Sequence, residues 1–174
     1  KPVKILENVE SVQIVEGCSA AITKTGDLYC WGYNKYGEVG NGNTDNQYEP
    51  VKVLQNVKKI IVSAGNKLAL TNSGEAYYWG RNETTPVKML DSVKEIDMSE
   101  RGAASVITEN GELFCWGYIY DQIGDNGFQK YTDIPIKVLE NVDQVVTYGT
   151  SRVVVTKTKE LYYWGLCLGK CMYT

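Results

Sequence analysis

No histidine occurs anywhere in the 174 residues of this chain. That removes the commonest general base, every histidine-centred catalytic triad and the usual zinc sites. A Walker-type phosphate loop is also missing, and no dinucleotide-binding glycine fingerprint follows a strand. No stretch approaches about 18 uninterrupted apolar residues, so membrane insertion is not expected. Basic residues are outnumbered 18 to 21, the formal net charge is −3, and the densest basic spot is only Lys58-Lys59. Nucleic-acid binding by phosphate neutralisation is not expected from such a chain. The five cysteines stand at spacings of neither a disulfide framework nor a zinc site. No metal, cofactor or enzymatic activity is expected. Glycines interrupt every stretch long enough for an amphipathic helix. The chain opens Lys-Pro-Val-Lys without an initiator methionine or signal-peptide core. It is therefore read as part of a longer protein, with cytoplasmic and secreted or cell-surface locations both open.

What the chain does contain is one unit written four times. Each copy opens with a proline segment: Pro2-Val3-Lys4-Ile5-Leu6, Pro50-Val51-Lys52-Val53-Leu54, Pro86-Val87-Lys88-Met89-Leu90 and Pro135-Ile136-Lys137-Val138-Leu139. An Asn-Val or Ser-Val step follows, at Val9, Val57, Val93 and Val142. Next come a glycine (Gly17, Gly65, Gly102, Gly149), an apolar run ending in threonine, and a Trp-Gly pair. The proline-to-tryptophan interval is 29, 29, 30 and 29 residues, and the threonine-to-tryptophan interval is 8 each time. The return to the next proline varies, at 19, 7 and 19 residues. The whole chain, 1–174, is read as one repeat domain with units at 2–49, 50–85, 86–134 and 135–174.

Within a copy the pattern is strand, polar turn, strand, as in Gly65 to Thr71, Asn72 to Glu75 and Ala76 to Trp79. Val57 to Val62 supplies another strand. Glycine at the turn (Gly26, Gly74, Gly111) provides positive φ at little cost. The fourth copy has Lys159 there, so its turn is expected to be rebuilt or strained. Three or four short strands per unit fit a β-propeller blade. The Trp-Gly pairs Trp31-Gly32, Trp79-Gly80, Trp116-Gly117 and Trp164-Gly165 are assigned a structural role. The indole is expected to pack between neighbouring blades, and the glycine to admit close backbone approach or a bend.

These repeats resemble the regulator of chromosome condensation (RCC1) repeat, the unit of a seven-bladed propeller. Val62 to Leu70 is similar to the family's small-residue, glycine and apolar segment, and Gly74 to Gly80 to its turn and Trp-Gly segment. Trp31 to Gly40, continued by Asn41-Gly42-Asn43, is similar to the glycine-rich stretch after the tryptophan. The family's histidine is missing, with Ala20, Leu68, Ser105 and Arg152 at its expected place. The resemblance implies an all-β propeller, partial or completed by a partner chain. The family's best-known activity is nucleotide exchange on the small GTPase Ran with chromatin binding, which depends on a β-wedge insertion. No comparable insertion is visible here. Four blades leave open strand edges, which flanking repeats, an unusual small ring or a second chain would resolve. A homodimer completing the ring is the preferred expectation.

Tyrosine, at 13 residues against 2 phenylalanines, suits strands and recognition surfaces equally. The two long returns carry most of the candidates for binding: Tyr33, Tyr36 and Glu38 in one, Tyr118, Tyr120, Asp121 and Phe128 in the other. Each return sums to −2. Rigid aromatic surface beside acids suits a basic peptide or protein. Cys30 and Cys115, both just before tryptophan, are expected to be buried thiols. Cys167 and Cys171 could pair locally or stay free. The leading function is a non-catalytic protein-interaction scaffold. Guanine-nucleotide exchange on a small GTPase and a secreted or cell-surface structural array are the alternatives.

Overall fold

The computed structural model describes residues 1–81, 83–120 and 129–165, and their regular structure is entirely β. Blade 1 contains β1 (Val9–Val15), β2 (Cys18–Thr23), β3 (Leu28–Gly32) and β4 (Gln47–Leu54), hydrogen-bonded in that order. Blade 2 repeats it with β5 (Val57–Val62), β6 (Asn66–Thr71), β7 (Ala76–Gly80) and β8 (Glu83–Leu90). Blade 3 has β9 (Val93–Met98), β10 (Ala104–Thr108), β11 (Leu113–Tyr120) and β12 (Gln129–Leu139). Blade 4 shows β13 (Val142–Tyr148), β14 (Ser151–Thr156) and β15 (Leu161–Trp164) among the described residues. Two compact units result, Lys1–Ile96 and Asp97–Thr174. The sheets are phased differently from the sequence units. Pro50, Pro86 and Pro135, which open units in the sequence, lie in β4, β8 and β12, the last strand of the sheet before. Proline lacks an N–H, and an edge strand is where a sheet tolerates that loss.

The recurring threonine is explained by the hairpin turn. Thr23 Oγ1 accepts the Asp27 N–H at 3.1 Å, and Gly26 N donates to the Thr23 carbonyl at 2.9 Å. Thr71, Thr108 and Thr156 make the same pair of contacts with Glu75, Glu112 and Glu160 and with the intervening residue. Lys159 keeps these bonds while adopting φ 68°, so the fourth turn is strained and not rebuilt. That conformation costs an L-residue about 1–2 kcal/mol. The carbonyls of Gly26, Gly74 and Gly111 each accept the N–H of the first-strand valine of the following sheet, Val57, Val93 and Val142, at 2.8 Å. The residue before that valine, Asn8, Asn56, Ser92 or Asn141, sits at φ 55–59°. Short polar side chains tolerate that region best, which accounts for the Asn-Val step. The lysine of the proline segment pairs across the strands with the acid after the turn: Lys52 with Asp27, Lys88 with Glu75 and Lys137 with Glu112. These pairs lie at the surface, where solvent screening leaves each a weak contributor to stability.

Each unit packs one sheet on the next through an apolar core. In the first, Ala20, Ile22, Leu28, Cys30 and Val39 of blade 1 meet Val57, Ile60, Ala69 and Trp79 of blade 2. In the second, Ile107, Leu113 and Cys115 meet Val142, Val145, Val154 and Trp164. The indoles of Trp79 and Trp164 thus lie in a core shared by two sheets, and Trp116 is fully buried. Trp31, in the first blade, is half-buried. Its sheet has none before it in this chain.

Two polar devices recur inside each unit. Gln13 on β1 accepts the N–H of Val62 on β5, and Asp97 on β9 accepts that of Thr147 on β13. A fully buried cation also stands opposite tryptophan on the second strand of the second sheet: Lys67 across from Trp79, Arg152 across from Trp164. This register corrects the sequence alignment at one point. Ala20, Leu68 and Ser105 pair with the residue before tryptophan, whereas Arg152 pairs with tryptophan itself and so matches Lys67.

Candidate functional site

The return from β3 to β4 is the segment that builds a site. Asn34, fully buried, organises it. Its Nδ2 donates to the carbonyls of Asn43 and Asp45 at 3.0 and 2.9 Å, and its Oδ1 accepts the Val39 N–H at 2.8 Å. Val39 is thereby driven into the core of the first unit. The loop glycines let it lie down on blade 2. A Cβ on Gly40 would stand 2.5 Å from Trp79 Nε1, and one on Gly37 would stand 2.9 Å from Thr84 Cα. Gly42 N donates to the Thr84 carbonyl at 2.8 Å. The glycine-rich stretch therefore serves turn geometry and close packing of a loop against the neighbouring blade.

Above this loop lies a cavity of about 360 Å³ between blades 1 and 2. One wall comes from the β1–β2 turn, with Glu16 held at φ 45°, and another from Ser63, Ala64 and Gly65 before β6. Tyr33, Tyr36 and Glu38 of the return complete it. Glu38 is 4% exposed, and its Oε2 accepts the Tyr36 N–H at 2.8 Å. Tyr33 and Tyr36 remain 41% and 47% exposed, so both rings present surface to solvent. Lys35 Nζ stands 5.7 Å from the centroid of the Tyr36 ring, within cation–π range.

The structure brings together three of the residues singled out in the sequence, Tyr33, Tyr36 and Glu38. Tyr118 belongs to the second unit, where its ring meets that of Tyr131 edge-on at 5.2 Å between centroids. Tyr120 ends β11, its backbone opposite Gln129. Asp121 and Phe128 lie outside the described residues, as do Cys167 and Cys171. Sequence reasoning did not point to Glu16 or the Ser63-Ala64-Gly65 wall. Those residues reach the cavity through the pairing of sheets, which no local pattern encodes.

Among the described residues, three thiols lie beneath the surface. Cys18, Cys30 and Cys115 are free and buried. Burial pushes the Cys30 thiol up to about 12, outweighing the nearby Lys67 charge, and burial likewise raises Cys115 against the charge of Arg152. Thiols protonated at neutral pH are poor nucleophiles and metal ligands. The two buried cations are satisfied differently. Arg152 donates through Nε to Ser105 Oγ at 2.9 Å and through one terminal nitrogen to the Ala104 carbonyl at 3.2 Å. At the position of Ser105, blade 1 has Ala20, and Lys67 Nζ has no hydrogen-bond partner. No group of three or more potential metal ligands converges among the described residues.

Four-stranded antiparallel sheets, packed face to face through tryptophan and repeated along the chain, define a β-propeller blade array. Residues 25–70 match the regulator of chromosome condensation (RCC1) repeat. The fold is shared with human WBSCR16 at a TM-score of 0.74 and 18% identity, over 95% of this chain and 50% of that one. It is shared also with Prp20p from Saccharomyces cerevisiae, at a TM-score of 0.71 and 18% identity, over 86% of this chain and 44% of that one. Yeast RCC1 (Prp20) bound to Kap60 gives 0.64 and 19%, over 86% and 40%. These likenesses show a fold of propeller blades like those of the RCC1 structures, and the chain spans half or less of the length of these solved relatives.

Proposed function

We propose that this chain is a non-catalytic docking module that receives a basic protein or peptide on the loops around the blade 1–blade 2 cavity. The observation that carries this reading is a buried carboxylate, Glu38, set beside two half-exposed tyrosines in a walled cavity. Aromatic rings give contact area at low ordering cost, and acids select a partner of opposite charge. Prp20p, which shares the fold, was characterised for its binding to Gsp1p and histones, and histones are basic. Core histones are accordingly the first probe. Titrated at physiological salt by biolayer interferometry, they are expected to bind the wild-type chain, and the Tyr33→Ala/Tyr36→Ala double variant is expected to bind at least about tenfold more weakly. Undetectable histone binding by the wild-type chain, or equal binding by the double variant, overturns the reading.

Guanine-nucleotide exchange is a second reading, supported by the shared fold with a Gsp1p-binding protein. Acceleration of labelled GDP release from a small GTPase by this chain would establish it. We further propose that a second copy completes the ring. In the first unit Val12 and Ile14 of β1 are 69% and 73% exposed, and in the second Leu161 of β15 is 70% exposed. Such apolar strand surface is ordinarily covered. Sedimentation velocity at micromolar concentration is expected to give the mass of a dimer; a stable monomer defeats this arrangement.

A further inference from the structure

We infer that the cavity at Glu38 is a receptor for a single arginine side chain of the docked partner, a deepening that rests on the docking reading above. Glutamate is almost never fully buried unless paired with a cation. Glu38 is 4% exposed, yet its hydrogen bond is to a backbone N–H, that of Tyr36. Among the described residues the cavity lining holds a second carboxylate, Glu16, and no lysine or arginine. Glu16 occupies the left-handed region at φ 45°, an uncommon conformation for that residue, and this places it on the cavity wall. The site thus sets two carboxylates beside aromatic rings, and among the described residues neither forms a salt bridge with a cation of this chain, although Lys35 lies close by on Tyr36.

The shape of the site selects among cations. A cavity of about 360 Å³ exceeds what a small ion needs and admits an extended side chain with its head group. Tyr33 and Tyr36 offer aromatic surface at the carboxylate, and Lys35 already rests within cation–π range of Tyr36. A guanidinium is planar, stacks on aromatic faces, sheds water more readily than an ammonium and meets a carboxylate through two parallel N–H groups. Each carboxylate oxygen has two lone pairs, so the bond from Tyr36 leaves acceptor capacity for the fork.

Glu38 also permits a clean test. Its bond to the Tyr36 N–H needs only an acceptor oxygen, which glutamine supplies, so Glu38→Gln removes the charge and keeps the loop. The probes are three glycine-serine dodecapeptides that differ only in a central arginine, lysine or citrulline. Affinity is read from the backbone amide shifts of Tyr36 and Gly65 by NMR titration. The arginine peptide is expected to bind at least tenfold more tightly than the citrulline peptide and several-fold more tightly than the lysine peptide. In E38Q the arginine preference is expected to vanish with no change in melting temperature. Equal binding of arginine and citrulline peptides, a preference for lysine, or an undiminished arginine preference in E38Q overturns the assignment. Histone binding by the same E38Q protein separates the two levels. Full retention, together with loss in the tyrosine double variant, sinks the arginine receptor and leaves docking intact; failure of the wild-type chain to bind histones sinks docking itself.

Discussion

Replacing Gly80 by alanine is expected to destabilise the first unit by about 4 kcal/mol, through backbone strain and an overpacked contact together. Gly80 sits at φ 101°, and a Cβ there would meet the Gly65 carbonyl oxygen at 2.0 Å and Asn66 Cα at 3.0 Å. Both neighbours are backbone atoms, Asn66 at the start of β6 and Gly65 just before it, so relief requires the backbone itself to shift. The same geometry repeats at Gly32 against the Gly17 oxygen, 2.0 Å, and at Gly117 against the Gly102 oxygen, 2.2 Å. In blade 1 the approached carbonyl is also the acceptor for Tyr33 N at 3.0 Å. The glycine after each tryptophan therefore exists to let one strand end pass over the loop that begins the hairpin. Gly65→Ala is the control. Gly65 has φ 150°, and a Cβ there would have nothing within 4 Å, so only conformational strain, about 1–2 kcal/mol, is expected. Urea unfolding followed by tryptophan fluorescence measures both. Equal losses for the two variants would show that conformation, and not the carbonyl contact, sets the requirement.

Arg152→Ala is expected to cost the second unit about 3–5 kcal/mol, the combined loss of a large buried side chain and of charge-assisted hydrogen bonds. Arg152 is fully buried and joins β14 to blade 3 through Ser105 and the Ala104 carbonyl. Thr147 Oγ1 donates to the same Ser105 hydroxyl at 2.8 Å, so the truncation leaves several polar groups short of partners. Arg152→Met fills the space without a charge and is expected to lose only about 1–2 kcal/mol, since apolar replacements of buried ions are commonly well tolerated. Urea midpoints of the two variants decide the matter. A methionine variant as unstable as the alanine variant would mean that hydrogen bonding, and not filled volume, supplies the stability. The unpartnered ammonium of Lys67 at the matching place in the first unit shows the same position held without that network.

How much of this was legible beforehand depends on the range of the interactions. The hairpin turn was readable from its polar segment and glycine because all its bonds lie within five residues, as between Thr71 and Glu75, whereas the role of the threonine in closing it appeared only in the structure. That the turn at Lys159 would be rebuilt or strained followed from its lack of glycine, and the structure decided for strain. The phase of the sheets was not readable. Pro50 could open a new sheet or close the old one, and only its pairing beside β3 places it in the old one. The match of Arg152 to Lys67 likewise needed the strand register, since one residue of slip moves a side chain to the opposite face. For the site, Tyr33, Tyr36 and Glu38 stood out by composition, while the walls from Glu16 and Ser63 did not.

The sequence by itself determined the repeat, the strand character, the turns and the family likeness, because each rests on contacts between residues close along the chain. Tertiary structure alone decided which sheets share a core, that Gln13 and Asp97 stitch one sheet to the next, and that the buried Glu38 lines a cavity between two blades. Those are outcomes of sheet-on-sheet packing, where partners are dozens of residues apart and many registers satisfy the same alternation of apolar and polar side chains.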